Sequence, residues 1–115
     1  MGEVVTISVA SIDSAKDRLA AALRGEAQGN HISFLTTELI WKTLAPKRMA
    51  IVRALTGAGP IAIRELARRI DRDVKAVHGD VQTLIKAGII DRTDDGKILF
   101  PYDAIHVDFM LTKAA

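Results

Sequence analysis

The sequence contains no cysteine. That excludes a disulfide framework, a thiolate metal site and a cysteine nucleophile, and it suits a reducing compartment. No apolar run approaches the length needed to cross a bilayer, so a soluble, cytoplasmic chain with no membrane partner is expected. The three histidines, His31, His78 and His106, lie far apart without paired metal-ligand spacing, and there is neither a glycine-rich phosphate loop nor a nucleophile elbow. On these grounds no metal, no cofactor and no enzymatic activity are expected. Internal repeats and low-complexity tracts are also missing. What remains is 115 residues, 49% of them hydrophobic, which is one small domain or one domain plus an extension.

The formal net charge is only +2, but it is unevenly spread. From Met1 to Trp41 there are three basic and five acidic residues, from Lys42 to Arg92 eleven and five, and from Thr93 to Ala115 two and four. A basic excess confined to the middle of the chain is either a solvated helix face or the footprint of a polyanion partner.

The densest patterning falls within that middle segment. In IRELARRIDRDVKAVHGDVQTLIKA, residues 63–87, Ile63, Leu66, Ala67 and Ile70 repeat at three and four residues, which predicts a short helix with Arg64, Glu65, Arg68 and Arg69 outside its apolar face. Val74, Val77, Val81, Leu84 and Ile85 form the stripe of a second helix, with Arg72, Lys75, Gly79, Gln82, Thr83 and Lys86 opposite. Only Asp71-Arg72-Asp73 separates the two; Asp73 is suited to cap the second helix and Gly88 to end it. The pattern is that of a helix-turn-helix. Its combination with the basic excess favours a polyanion.

Around this centre, Val5, Ile7 and Val9 alternate with Thr6 and Ser8 and predict a strand over residues 4–10. Ser14 and Asp17 read as a capping-box pair for a helix with the stripe Ala15, Leu19, Ala22 and Leu23. Residues 26–30 read as a loop, and Ile32 and Phe34 as a second strand. Thr37 should cap a further helix carrying Leu39, Ile40, Trp41 and Leu44, with the lone tryptophan expected in the core. Pro46 suits the first position of the next helix, which ends at Thr56-Gly57-Ala58-Gly59-Pro60. Ile61 and Ala62 could add a very short strand. Apolar residues on either side of Asp94-Asp95-Gly96 predict a β-hairpin, the wing of a winged helix-turn-helix. Ile105, Val107, Phe109 and Leu111 alternate with polar neighbours in a closing strand. The expected fold class is therefore α+β: an N-terminal strand-helix-strand extension over residues 1–36, a three-helix core with a hairpin wing over 37–102, and a C-terminal strand and tail over 103–115.

The run from Leu44 to Phe109 resembles a prokaryotic family of small predicted transcriptional regulators with a MarR-like winged helix. Its marks here are Pro46-Lys47-Arg48, Arg64-Glu65-Leu66-Ala67, Arg72-Asp73-Val74-Lys75, Val77-His78 and Phe100-Pro101-Tyr102-Asp103. The resemblance implies binding to double-stranded DNA and transcriptional control, with an autoregulating repressor the leading expectation. Some members of the family are similar to antitoxins encoded beside a small toxin. Where a basic residue is expected after Val77-His78, this chain has Gly79, at a helix-propensity cost of about 1 kcal/mol relative to alanine.

In such a domain the second helix of the motif enters the major groove by its N-terminal half. Residues 74–87 are the expected reading helix. Arg72 and Lys75 are the leading candidates for base edges, with Gln82 more distant; Gly79 would allow close backbone approach, and His78 lies at the margin of the face. Arg64, Arg68 and Arg69 are candidate phosphate contacts, as are Lys47 and Arg48; Arg68 could instead simply pair with Glu65. On the wing, Arg92 and Lys97 flank a tip whose Asp94 and Asp95 would repel a minor groove. Val5, Ile7 and Val9, with Ile105, Val107, Phe109 and Leu111, are candidates for a dimer or partner interface, because a lone winged helix reads few base pairs and exposed strands invite pairing. The alternative is that these strands pair within one chain. The rival function is that of an interaction module binding a partner, such as a small toxin, through its terminal strands.

Overall fold

The computed structural model describes residues 2–26 and 29–111. The chain is α+β, with β1 (Val4–Val9), α1 (Ile12–Leu23), β2 (Asn30–Phe34), α2 (Thr37–Thr43), α3 (Pro46–Leu55), α4 (Ile63–Arg69), α5 (Val74–Lys86), β3 (Asp91–Arg92), β4 (Ile98–Leu99) and β5 (Ala104–Asp108).

The terminal strands meet each other. β1 lies between β2 and β5 in a three-stranded sheet and is parallel to both, with Ile7 opposite Ile32 on one side and Val107 on the other. The strand-helix-strand extension and the C-terminal strand, expected as separate pieces, are thus one unit. Because side chains alternate across a strand, Val5, Ile7, Val9, Ile32, Phe34, Ile105 and Val107 share one face and join the main hydrophobic core. Val5 and Ile7 are fully buried within the chain. This corrects their assignment to an interface between chains: β1 is the central strand and has no free edge. Val9, Ile105 and Val107 are also packed against the chain's own core. Phe109 and Leu111 lie beyond the end of β5 and are exposed.

The same core continues through Ile40 and Leu44 into α3, α4 and α5, where Ile51, Leu55, Leu66, Val77, Val81 and Leu84 supply the buried side of each helix. Fully burying each such aliphatic side chain is worth about 1.5–3 kcal/mol, so the two units are held as one body by their apolar faces. Pro46 sits in the first turn of α3, as its fixed φ favours. The α4–α5 connection is a Schellman motif: Arg72 N–H reaches Ala67 C=O at 3.0 Å, Asp71 N–H reaches Arg68 C=O at 3.3 Å, and Asp71 takes φ 54°. Asp73 then caps α5, its carboxylate accepting from the N–H groups of Lys75 and Ala76. α5 ends in a second Schellman turn at Gly88, φ 80°, with the N–H of buried Ile89 on Leu84 C=O.

β3 and β4 form an antiparallel hairpin whose Thr93-to-Gly96 turn closes with Gly96 at φ 83°. Ile61 bridges to Ile98 through two backbone hydrogen bonds of 2.9 and 2.8 Å, so the short strand expected there is reduced to a single bridge.

Three local expectations need correction. α1 is capped by Ser11, whose hydroxyl accepts from Ser14 N–H, so the helix starts ahead of the Ser14–Asp17 pair. α2 is capped by Thr36 rather than Thr37. Trp41 is 44% exposed and rests edge-on against Phe109, ring centroids 5.2 Å apart, instead of filling the core. Among the described residues, no helix is long and apolar enough to cross a membrane.

Candidate functional site

α5 presents a polar face on a helix of 13 residues whose other side is anchored in the core. Its inner stripe is Val77, Val81 and Leu84, and its outward side carries Lys75, Ala76, His78 and Gly79, all exposed, with Gln82 and Thr83 half-buried beside them. Val74, expected in the stripe, is 40% exposed at the first turn and belongs to the outward surface. A Cβ built on Gly79 meets nothing within 4 Å, so the glycine is not required by packing inside the chain. Thr83 donates its hydroxyl to Gly79 C=O at 3.3 Å.

Arg72 is not on that surface as a free side chain. Its Nη2 donates to Asp80 Oδ2 at 2.9 Å, while Arg48 Nε donates to Asp80 Oδ1 at 3.1 Å. Side-chain exposures of 21%, 23% and 17% for Arg72, Arg48 and Asp80 place all three at the edge of the core. Arg48 also donates to Lys42 C=O at 2.7 Å. The cluster therefore ties α2, α3 and the α4–α5 turn to the middle of α5. Arg48 and Arg72, both expected to contact nucleic acid, are thus engaged within the chain, and Asp80, for which the sequence carries no motif signal, is their common acceptor. An i, i+8 separation from Arg72 is two helical turns in length, and the Schellman turn folds the arginine back across it.

Among the described residues, Lys47, Arg64, Lys75, Lys86 and Arg92 make no ion pair and are exposed. Arg68 and Arg69 both face Glu65, as anticipated for Arg68. Hydrogen bonds from Arg68 hold the Glu65 carboxyl below its ordinary range. Pairs of this kind at the surface are worth little. On the hairpin Lys97 Nζ lies 3.9 Å from Asp95 Oδ2, and the Thr93 hydroxyl lowers the Asp95 pKa, so the tip keeps its negative charge. Of these cations, Lys47 lies on α3, Arg64 on α4, Lys75 and Lys86 on α5, and Arg92 on β3, ahead of the acidic hairpin tip.

The model of the HVO_A0114 family matches residues 43–107. The chain belongs to that family. The matched span runs from the last residue of α2 through α3, α4, α5 and the hairpin into β5, and it leaves β1, α1 and β2 outside. No curated protein matches the sequence.

Proposed function

We propose that the chain is a sequence-specific, DNA-binding transcriptional regulator of the winged helix-turn-helix kind, with α5 as its major-groove helix and an autoregulating repressor as its simplest role. The observation that carries this reading is the outward face of α5, where unpaired Lys75, His78 and Gln82 surround a glycine that the chain's own packing does not need. Support also comes from the succession of α3, α4 and α5, the tight turn at Asp71, and the β3–β4 hairpin bridged to Ile61, an arrangement in keeping with a MarR-like winged helix.

With Arg72 and Arg48 held by Asp80, the base-reading role passes to Lys75, Gln82 and His78. Gly79 lets the helix backbone approach the groove. Arg64, Lys47, Arg68 and Arg69 serve phosphates, and Arg92 at most touches the backbone beside an acidic hairpin tip. Selection of bound duplexes from a random-sequence pool tests the reading. Enrichment of one motif with twofold symmetry supports it, and recovery of an unenriched pool refutes it.

A second reading has its own observation. α1 turns Ile12, Leu19 and Leu23 outward, 75%, 61% and 80% exposed, at the spacing of one helical stripe. An apolar stripe of this kind is usually covered by another chain. We therefore move the proposed interface from the strands to α1, with a second copy as the preferred occupant and a small toxin protein as the alternative.

A further inference from the structure

α1 is an amphipathic helix facing the wrong way for a crossover packed on a sheet. None of its residues is buried. Its outward side is the apolar stripe just described, and its inward side presents Ser14, Asp17 and Arg18. The sheet face beneath is equally polar. By register, His31 and His106 flank Thr6 in one row, and Ser33 and Asp108 flank Ser8 in the next. Two polar surfaces therefore face each other across an open cleft of about 460 Å³.

The position of the cleft is informative. It lies at the carboxyl ends of β1 and β5, lined by Ser8 and Val9 from one, by Asp108 at the end of the other, and by Phe109 and Met110 beyond it. From β1 the chain crosses by α1 to β2 on one side, while β5 joins on the opposite side. In open parallel sheets ligands bind at the carboxyl ends of the strands, and this cleft lies at that end of β1 and β5.

Among the described residues, the charged lining groups form no ion pair with one another or with other side chains. Arg18 faces no carboxylate within ion-pair distance; its Nη1 lies 3.3 Å from His31 Nε2, a nitrogen that is also 2.7 Å from the Ser8 hydroxyl. Among the described residues, Asp17 and Asp108 are in no ion pair. Both signs of charge are therefore present and unneutralised around one opening, next to hydroxyls and an apolar lip. The Ser8–His31 pair does not suit proton abstraction, since the nitrogen that would take the proton already faces the Arg18 guanidinium.

We propose that this cleft binds a small zwitterion of the free α-amino acid class. Its carboxylate pairs with Arg18 and the hydroxyls of Ser8 and Ser14, its ammonium lies against Asp17 and Asp108, and its side chain rests on Phe109 and Met110. The site does not depend on the DNA-binding reading, and Ser8, Arg18, His31 and Asp108 all fall outside the span matched by the family model.

The molecule contains its own reporter. Trp41, the only tryptophan in the chain, touches Phe109, a wall of the cleft. The test is a titration of the full chain, without DNA, with each standard free amino acid, followed by Trp41 emission and by thermal denaturation. Each responder is repeated as its N-acetyl derivative and as its amide. At least one free amino acid should bind with a Kd below about 1 mM and raise the melting temperature, whereas losing either charge should weaken binding at least tenfold.

Arg18→Met and Asp108→Asn should each abolish the response. Neither side chain is part of the buried core, so both variants should melt as the unaltered chain does. Lys16→Met, on α1 but outside the cleft, should respond normally. Absence of any response, equal response to the derivatives, or full binding by folded Arg18→Met would each overturn the proposal.

Discussion

At the scale of single residues, the main surprise is the pair of arginines on Asp80. In a helix-turn-helix sequence, an arginine just ahead of the second helix reads naturally as a base contact, because spacing alone places it near the groove. The chain turns it inward. Asp71 in the left-handed conformation directs the following residue back over α5, and Asp80 is there to receive it. Arg72 also has a buried Nη1 with no hydrogen-bond partner, so its charge is incompletely compensated even with Asp80 present. Removing Asp80 would leave two partly buried guanidinium groups facing each other. Asp80→Ala should therefore cost about 1–3 kcal/mol, less than a fully buried pair because water reaches the cluster; urea denaturation measures it, and an unchanged midpoint would refute the bracing role. A second residue effect concerns pH. Burial and then Arg18 hold the His31 pKa below its ordinary 6.5, with Asp108 only partly opposing them. As pH falls through about 6.5 the unfolded chain takes up this proton before the folded one does, so the stability contribution is complete above that pH and declines below it, down to the folded pKa. His31→Gln should flatten this part of the stability–pH curve. If the two curves remain parallel from pH 7 to about 5, His31 is not the group responsible.

At the scale of elements, much was legible because local signals and tertiary packing agree. Residues 63–87 carry their own punctuation: an apolar period of three and four, Asp73 as cap, Gly88 as stop. The helices observed there follow it closely. The hairpin was likewise readable from Asp94-Asp95-Gly96. α1 was harder. Its stripe of Ala15, Leu19 and Leu23 identifies a helix but not the direction it faces, and a period cannot distinguish a stripe turned toward the sheet from one turned away. Trp41 and Val74 were misplaced for a related reason: at helix ends the apolar pattern persists where the core does not. The most informative element prediction concerns Gly79 in the middle of α5. With nothing within 4 Å of a Cβ there, Gly79→Ala should stabilise the free protein by about 1 kcal/mol through helix propensity. If the glycine serves close approach to a duplex, the same variant should bind DNA more weakly. Stability and affinity moving together would contradict that use.

At the scale of the whole molecule, the terminal strands needed long-range information. Alternation identified β1 and β5 as half-buried but could not say which strand each would join, and an apolar strand face looks the same whether it packs on its own core or on another chain. The parallel order β2-β1-β5 pairs β1 on both sides, leaves β5 at an edge, and turns the apolar faces of both strands onto the chain's own core, while the stripe on α1 stays uncovered. Leu19→Glu with Leu23→Glu should then give a folded monomer by light scattering, since neither side chain contributes to the core; a dimer that survives this change would place the interface elsewhere. The proposed DNA contact has α5 reading bases while cations on the neighbouring helices grip phosphates. It is tested most directly by fluorescence anisotropy of the duplex upstream of the protein's own gene and of a scrambled duplex, each at two salt concentrations, with the unaltered chain, Lys75→Ala and Arg64→Ala. The expected result is tighter binding to the upstream duplex with a steep salt dependence, a loss of about 1–3 kcal/mol and of sequence preference in Lys75→Ala, and in Arg64→Ala a uniform weakening with a salt slope lower by about one. Binding that is absent, insensitive to salt, or identical for the two duplexes would contradict it.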